Sequence, residues 1–235
     1  MITLGLLRAL KNKGADIGSL KIGPDYIDPA FHSFATGFPC RNIDPWSMRP
    51  QTLLQQISST KTALIIAEGV MGLFDSAADG TGSTADAAGL LGWPVVLVID
   101  VRGQSASAAA VVEGFAKHRK NVTIAGVIFN RVGGDRHRKL LETALAPTGI
   151  PCLGCVPHST ELDLASRHLG LVQARELSDV NSWVKRVAAV IGGALDLERL
   201  EHLAVAPPPA KSKPAVAPLQ SLGLHIAVAE DKAFA

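Results

Sequence analysis

Cysteine, aromatic residues and net charge are all scarce in this sequence, and each shortage removes a class of function. Three cysteines in 235 residues, two of them in Cys152-Leu-Gly-Cys155, make no disulfide framework, and an odd number suits a reducing cytoplasm better than secretion. Lys and Arg total 23 against 21 Asp and Glu, so the net charge of +2 supplies no basic field for nucleic acid or an anionic membrane. Any anionic ligand must then be held by a local site. No apolar run approaches the roughly 18 residues of a spanning helix, and the longest, such as residues 94–99, are strand-sized. Residues 1–10 are apolar, but they lack a basic leading segment and a small-residue cleavage site and run into Lys11 and Lys13. They read as a helix. Also missing are a G-x-S-x-G elbow, an H-E-x-x-H pair, any internal repeat and the phosphate loop G-x-x-x-x-G-K-[ST].

What is present is a well-filled core. Hydrophobic residues make up 47% and charged residues 19%, the composition of a soluble globular protein. Leu4, Leu7 and Leu10 form one stripe and Gly14 follows as a stop, which predicts an opening amphipathic helix over residues 2–13. Apolar, β-branched runs predict strands at 17–22, 63–67, 94–99, 123–129 and 151–156. Between them lie helical patterns at 50–59, 84–91, 105–118 and 135–145, with Ser83 and Ser105 as N-caps, and a further helical stretch at 178–203. Continuous apolar strands alternating with helices predict a doubly wound α/β fold, its mostly parallel sheet covered on both faces. Residues 205–221 hold Pro207, Pro208, Pro209, Pro214 and Pro218 and read as an extended linker, after which residues 224–229 are again strand-like.

In such sheets ligands bind beyond the carboxyl ends of the strands, and those positions here are polar. The first strand ends in Lys21 and runs into Gly23-Pro-Asp25-Tyr26-Ile-Asp28-Pro29; the next ends in Glu68 and leads to Asp75; later ones deliver Asp100 with Arg102 and Gln104, and Asn130 with Arg131. Asp25, Asp28 and Glu68 are hard oxygen donors of the kind Mg²⁺ takes, and Lys21 can hold a phosphate as a point charge. The alternative is that these carboxylates cap turns or pair with neighbouring Arg. Gly80-Thr-Gly-Ser-Thr-Ala85 matches G-x-G-x-x-A but begins some twelve residues after Glu68, too late for a dinucleotide turn. It remains either an anion-binding loop offering Ser83 and Thr84 or an ordinary helix cap. Of the seven histidines only His32 lies beside the carboxylate loop, and Arg136-His137-Arg138-Lys139 reads as a solvated face. Cys152 and Cys155 fall on a strand with no second pair or histidine nearby, so buried core thiols are favoured over zinc or redox chemistry.

The blocks Lys21-Ile-Gly-Pro-Asp-Tyr-Ile-Asp-Pro-Ala-Phe-His32, Glu68-Gly-Val-Met-Gly-Leu-Phe-Asp75, Gly82-Ser-Thr-Ala-Asp86, Ala125-Gly-Val-Ile-Phe-Asn-Arg-Val132, Arg136-His137 and Arg167-His-Leu-Gly-Leu171 closely resemble the cobyrinic and hydrogenobyrinic acid a,c-diamide synthases. The resemblance covers nearly all of residues 1–204, and Ile226-Ala-Val-Ala-Glu-Asp-Lys-Ala-Phe234 looks like the first strand of that family's glutamine amidotransferase domain.

It implies a P-loop NTPase or dethiobiotin synthetase-like fold, and an ATP- and Mg²⁺-dependent ligase. Such a ligase phosphorylates the a and c acetate carboxylates of a corrin ring and amidates them with ammonia from glutamine. It further implies Asp25 and Glu68 for the metal, Lys21 for phosphate, and Asp28 and Asp75 for organising substrate and intermediate. Asn130, beside Arg131, falls where the adenine is met, and Tyr26, His32, Ser83, Thr84, Arg102 and Gln104 are the substrate contacts. The expected organisation is a synthetase domain over 1–204, a linker over 205–221 and the start of an amidotransferase domain over 222–235, in a cytoplasmic protein for which a homodimer is one open state. In the family the phosphate loop lies just before the helix that opens this sequence, so the codons upstream of Met1 are expected to encode it. Two rivals remain: a non-catalytic remnant or corrinoid-binding partner, and a dethiobiotin synthetase-like ligase, against which the linker and amidotransferase strand argue.

Overall fold

A computed structural model describes residues 1–162, 166–167, 170–171 and 179–209 and the single positions 223, 225 and 227. Most of the expected linker, and most of the strand expected at 224–229, lie outside the described residues. The chain runs α1 (Ile2–Asn12), β1 (Ile17–Ile22), α2 (Asp28–Thr36), β2 (Arg41–Ile43), α3 (Pro50–Ser58), β3 (Leu64–Gly69), α4 (Thr84–Leu91) and β4 (Val95–Asp100). It continues through α5 (Ser107–His118), β5 (Ile124–Val132), α6 (Asp135–Leu145), β6 (Cys152–Pro157), α7 (Val180–Ala194) and α8 (Leu197–His202).

The doubly wound expectation holds, with particulars the sequence concealed. Among the described residues six strands pair in parallel, but in two groups of three, β2-β1-β3 and β4-β5-β6, while the two-residue strands Ser166–Arg167 and Gly170–Leu171 pair antiparallel in a ladder of their own. Helices cover both faces and bridge the two groups. On one face Leu7 and Leu10 of α1 and Val187 and Ile191 of α7 form one apolar layer with Ile17, Ile66, Val96, Ile128 and Val156 from both groups. On the other, α4 sends Ala87 and Leu91 to the β1 side and Ala85 to the β5 side. The seam lies between β3 and β4, which do not pair with each other. It shows in the burial: every residue of β1 is buried, every residue of β3 is half-buried, and Val98 of β4 is 48% exposed.

Three local corrections follow. Residues 28–36, read as part of a loop, form α2: Pro29 sits in its first turn, where its missing N–H costs nothing, and Gly37 ends it at φ 77°. The three-residue β2 is too short to leave a periodic signature. Ser105 is not the N-cap of α5, because Ala106 is already helical at φ −58° and ψ −29° and the helix starts at Ser107. The long C-terminal helix is two helices, broken at Leu195 and Asp196, with Asp196 capping the second through Arg199 N–H at 3.0 Å.

Candidate functional site

The carboxyl ends of β1 and β3 fix the centre of the site. The parallel register sets Lys21 directly between Asn42 on β2 and Glu68 on β3. Lys21 is 2% exposed. Its Nζ reaches Asp28 Oδ2 at 2.5 Å, Glu68 Oε2 at 3.0 Å and Asp25 Oδ2 at 3.2 Å. A buried ammonium needs such partners, since desolvation without pairing costs several kcal/mol, about as much as breaking the pairs. Asp25 is held in turn by its own loop: Oδ1 accepts from Ile27 N–H at 2.8 Å and Asp28 N–H at 3.2 Å, while Asn42 Nδ2 donates to the Gly23 and Asp25 carbonyls. The two prolines and these bonds set the chain entering α2, which carries Asp28 and His32.

Glu68 is the hub. Its Oε2 also faces buried His32 Nε2 at 3.2 Å, and its Oε1 accepts from Thr3 Oγ1 at 2.6 Å. Burial pushes the Glu68 carboxyl up, but the hydrogen bond and charge of His32, with Lys21 and Thr3, outweigh it and hold Glu68 well below the usual carboxylate range. Asp25 is also lowered: burial opposes ionisation, and the Ile27 and Asp28 amides and Lys21 prevail. For Lys21, burial pulls down while Glu68 and Asp28 raise it above the ordinary lysine value. Lys21, Asp25 and Glu68 are therefore ionised at neutral pH. Thr3, Asn42 and Cys40, whose sulfur lies 3.9 Å from His32 Nδ1, were missed in the sequence because only the strand register and the α1 packing bring them here.

A second cluster lies at the ends of β4 and β5. Asp100 Oδ2 pairs with Arg131 Nη1 at 2.7 Å and Arg102 Nη2 at 2.9 Å, and Asp100 sits opposite Asn130 in the ladder. The hydrogen bond from Arg102, then that from Arg131, lowers the exposed Asp100 carboxyl to about 2. Arg131 occupies the irregular step of β5 between Asn130 and Val132 with φ 62°, the only non-glycine residue of positive φ among the described residues. Strain of that kind concentrates at ligand sites. Gln104 Nε2 donates to the Asp100 carbonyl at 3.3 Å, and His137 Nε2 to the Gln104 carbonyl at 2.6 Å while its Nδ1 accepts from Gly133 N–H. His137, assigned to a solvated face, instead staples this cluster to α6.

The remaining sequence candidates divide. Thr84 is packed against Gly69 beside Glu68, where a Cβ on Gly69 would lie 2.3 Å from its Oγ1. Ser83 is committed to a capping box with Asp86, itself held by Arg119 at 2.8 Å, so the cap is the role its hydroxyl performs. Asp75 closes its own turn by accepting from Gly72 N–H at 2.9 Å, and no hydrogen bond or ion pair joins it to Lys21 or Glu68. Tyr26 is 63% exposed at the rim.

For Mg²⁺ the donor set is chemically right, three hard carboxylates on one edge. Both oxygens of Asp25 and Glu68 are already engaged, whereas Asp28 Oδ1 has no hydrogen-bond partner among the described residues.

Comparison with known proteins shows which family the chain resembles over most of its length. The model of the CobQ/CobB/MinD/ParA nucleotide-binding domain matches residues 1–172. Along its whole length the chain is 51% identical to the hydrogenobyrinate a,c-diamide synthase of Brucella anthropi and 48% identical to that of Rhizobium meliloti. It spans 54% of the length of each, about half of these curated relatives. A parallel sheet wound with helices on both faces, polar clusters at its strand ends and a matching sequence over residues 1–172 lead to one conclusion: the chain belongs to the CobQ/CobB/MinD/ParA nucleotide-binding domain family.

Proposed function

We propose that this chain carries the synthetase site of an ATP- and glutamine-dependent amidoligase that converts the a and c acetate carboxylates of a corrin ring to amides in cobalamin biosynthesis. The cobalt-free ring, hydrogenobyrinic acid, is favoured over cobyrinic acid by the names of the relatives. The observation that carries the reading is Lys21, buried and shared by Asp25, Asp28 and Glu68 at the strand ends. A carboxylate is a poor acyl donor until phosphorylated, and that step needs fixed charges rather than covalent chemistry from the protein.

Mg²⁺, when bound, neutralises charge on the transferred phosphoryl group. Asp28, with Asp25 and Glu68, is positioned to hold it. Lys21 then supplies a preformed positive charge for phosphate or acyl-phosphate oxygen, its ammonium fixed by the same carboxylates. His32 and Thr3 orient Glu68. Arg102 and Arg131 offer exposed guanidinium groups to a polyanionic substrate or to phosphate, and Asn130 lies at the strand end suited to an adenine edge. Asp75 and Tyr26, on the surface beyond β3 and β1, are the candidates for substrate contacts that form on closure. Residues 1–204 form the catalytic unit, 205–221 the linker and 222–235 the start of the glutaminase that delivers ammonia. The protein acts in the cytoplasm without membrane contact, and no described helix is long and apolar enough to cross a membrane.

The test is Glu68→Gln in the full-length protein, with amide formation on hydrogenobyrinic acid measured alongside circular dichroism. The expected loss is about 10²-fold or more with the fold intact. Retention of more than a tenth of the rate would remove Glu68 from the reacting centre.

A further inference from the structure

Cys152 and Cys155 lie apart from the strand-end clusters, and the fold joins them as a regular strand would not. Residues three apart on a strand face opposite sides of the sheet. In β6 the pairing slips: Val127 is partnered with Cys152 but the next residue, Ile128, with Gly154, so Leu153 is an extra residue in the ladder. Leu153 turns into the layer under α1 and α7, whereas both cysteines join the opposite layer with Leu141 and Leu145 of α6. Gly154 permits the kink, because a Cβ there would lie 2.4 Å from the Ala194 carbonyl oxygen. The sulfurs end 3.8 Å apart.

A third donor arrives from α6. One carboxylate oxygen of Glu142 and the two sulfurs all lie within 4.8 Å of one another, the only such trio of His, Cys, Asp and Glu among the described residues. Bonds of about 2.3 Å to one tetrahedral zinc-like ion separate two sulfurs by about 3.8 Å. That is the spacing found. Charge is balanced too: two thiolates and a carboxylate against a divalent ion leave one negative charge, and Arg138 Nε donates to Glu142 Oε1 at 2.8 Å. Arg138 is thereby a positioning residue for the third ligand.

We propose that Cys152, Cys155 and Glu142 bind a thiophilic divalent cation of the zinc class, with a fourth position open to water. The ion clasps the edge strand β6 to α6. Thiolate donors separate this site from the oxygen-only Asp25, Asp28 and Glu68 cluster, which suits Mg²⁺.

Co²⁺ is the spectroscopic probe and Zn²⁺ the competitor, added to the reduced full-length protein. One equivalent of Co²⁺ should give thiolate-to-metal charge-transfer absorption, which Zn²⁺ bleaches and Mg²⁺ leaves unchanged. Cys152→Ser should abolish the band, and Glu142→Gln should weaken binding about tenfold or more. In the unmodified protein, Zn²⁺ should protect both thiols from N-ethylmaleimide, a readout that needs no variant to fold. Absence of the band at millimolar Co²⁺, a band that survives Cys152→Ser, or alkylation of both thiols at an unchanged rate in Zn²⁺ would each overturn the site.

Discussion

Lys21 and Glu68 face each other in register across β1 and β3, Nζ to Oε2 3.0 Å, at the centre of a network that also takes in Asp25, Asp28 and His32. Removing the ammonium leaves three carboxylates crowded without a counter-charge. Lys21→Met is therefore expected to destabilise the fold by about 3–5 kcal/mol, the cost of an uncompensated buried ionic group. Urea unfolding measures it. The double variant Lys21→Met with Glu68→Gln should lose less than the sum of the single losses, because the two groups share one interaction.

The same pairing gives stability a pH signature. Folding lowers Glu68 from 4.5 and Asp25 from 3.8, so their contribution is fully present above those ordinary values and is lost as pH falls through the folded ones. Lys21 is raised from 10.5, so its contribution is present below that value and disappears only as pH rises beyond it into strong alkali. Unfolding midpoints should decline on acidification below about pH 4.5, and Glu68→Gln should flatten that decline. An unchanged acid limb would detach Glu68 from the linkage.

At Arg131 function and stability are expected to separate. Its φ of 62° costs a non-glycine residue roughly 1 kcal/mol, and its exposed ion pair with Asp100 returns about as little. Arg131→Gly should thus leave the thermal midpoint unchanged or slightly raised, while the affinity of the full-length protein for ATP or substrate, measured by calorimetry, falls. A large loss of stability would show instead that Arg131 serves the fold.

Gly5 lies where α1 packs directly on α7: a Cβ there would lie 2.4 Å from Cγ1 and 2.7 Å from Cβ of Ile191. Gly5→Ala improves helix propensity by about 1 kcal/mol, yet it should destabilise by about 1–3 kcal/mol through overpacking. Ile191→Ala in the same molecule should recover part of that loss.

Much of this was legible in the residues. Strands such as Val95–Asp100 carry apolar residues on both faces and are short, so period and length alone mark them as parallel-sheet strands, and the rule that ligands gather at carboxyl ends then singles out Lys21, Glu68, Asp100 and Asn130. The grouping around Lys21 was visible only as composition. Which carboxylate meets which cation depends on strand order and register, and these connect positions tens of residues apart: Asn42, Lys21 and Glu68 become neighbours only when β2, β1 and β3 pair. Thr3 reaches Glu68 because α1 packs over the sheet, and no local pattern encodes that.

Cys152 and Cys155 show the same division. Their spacing in a regular strand predicts opposite faces, and a single extra residue at Leu153 reverses the prediction. The sequence by itself determined most of the longer elements, the layers and the chemical types at the sheet edge, because periodicity and side-chain chemistry are local. Tertiary structure alone decided the seam, the Lys21 partners and the meeting of Glu142 with two thiols, because register, bulges and helix packing minimise the free energy of the whole chain rather than of any segment.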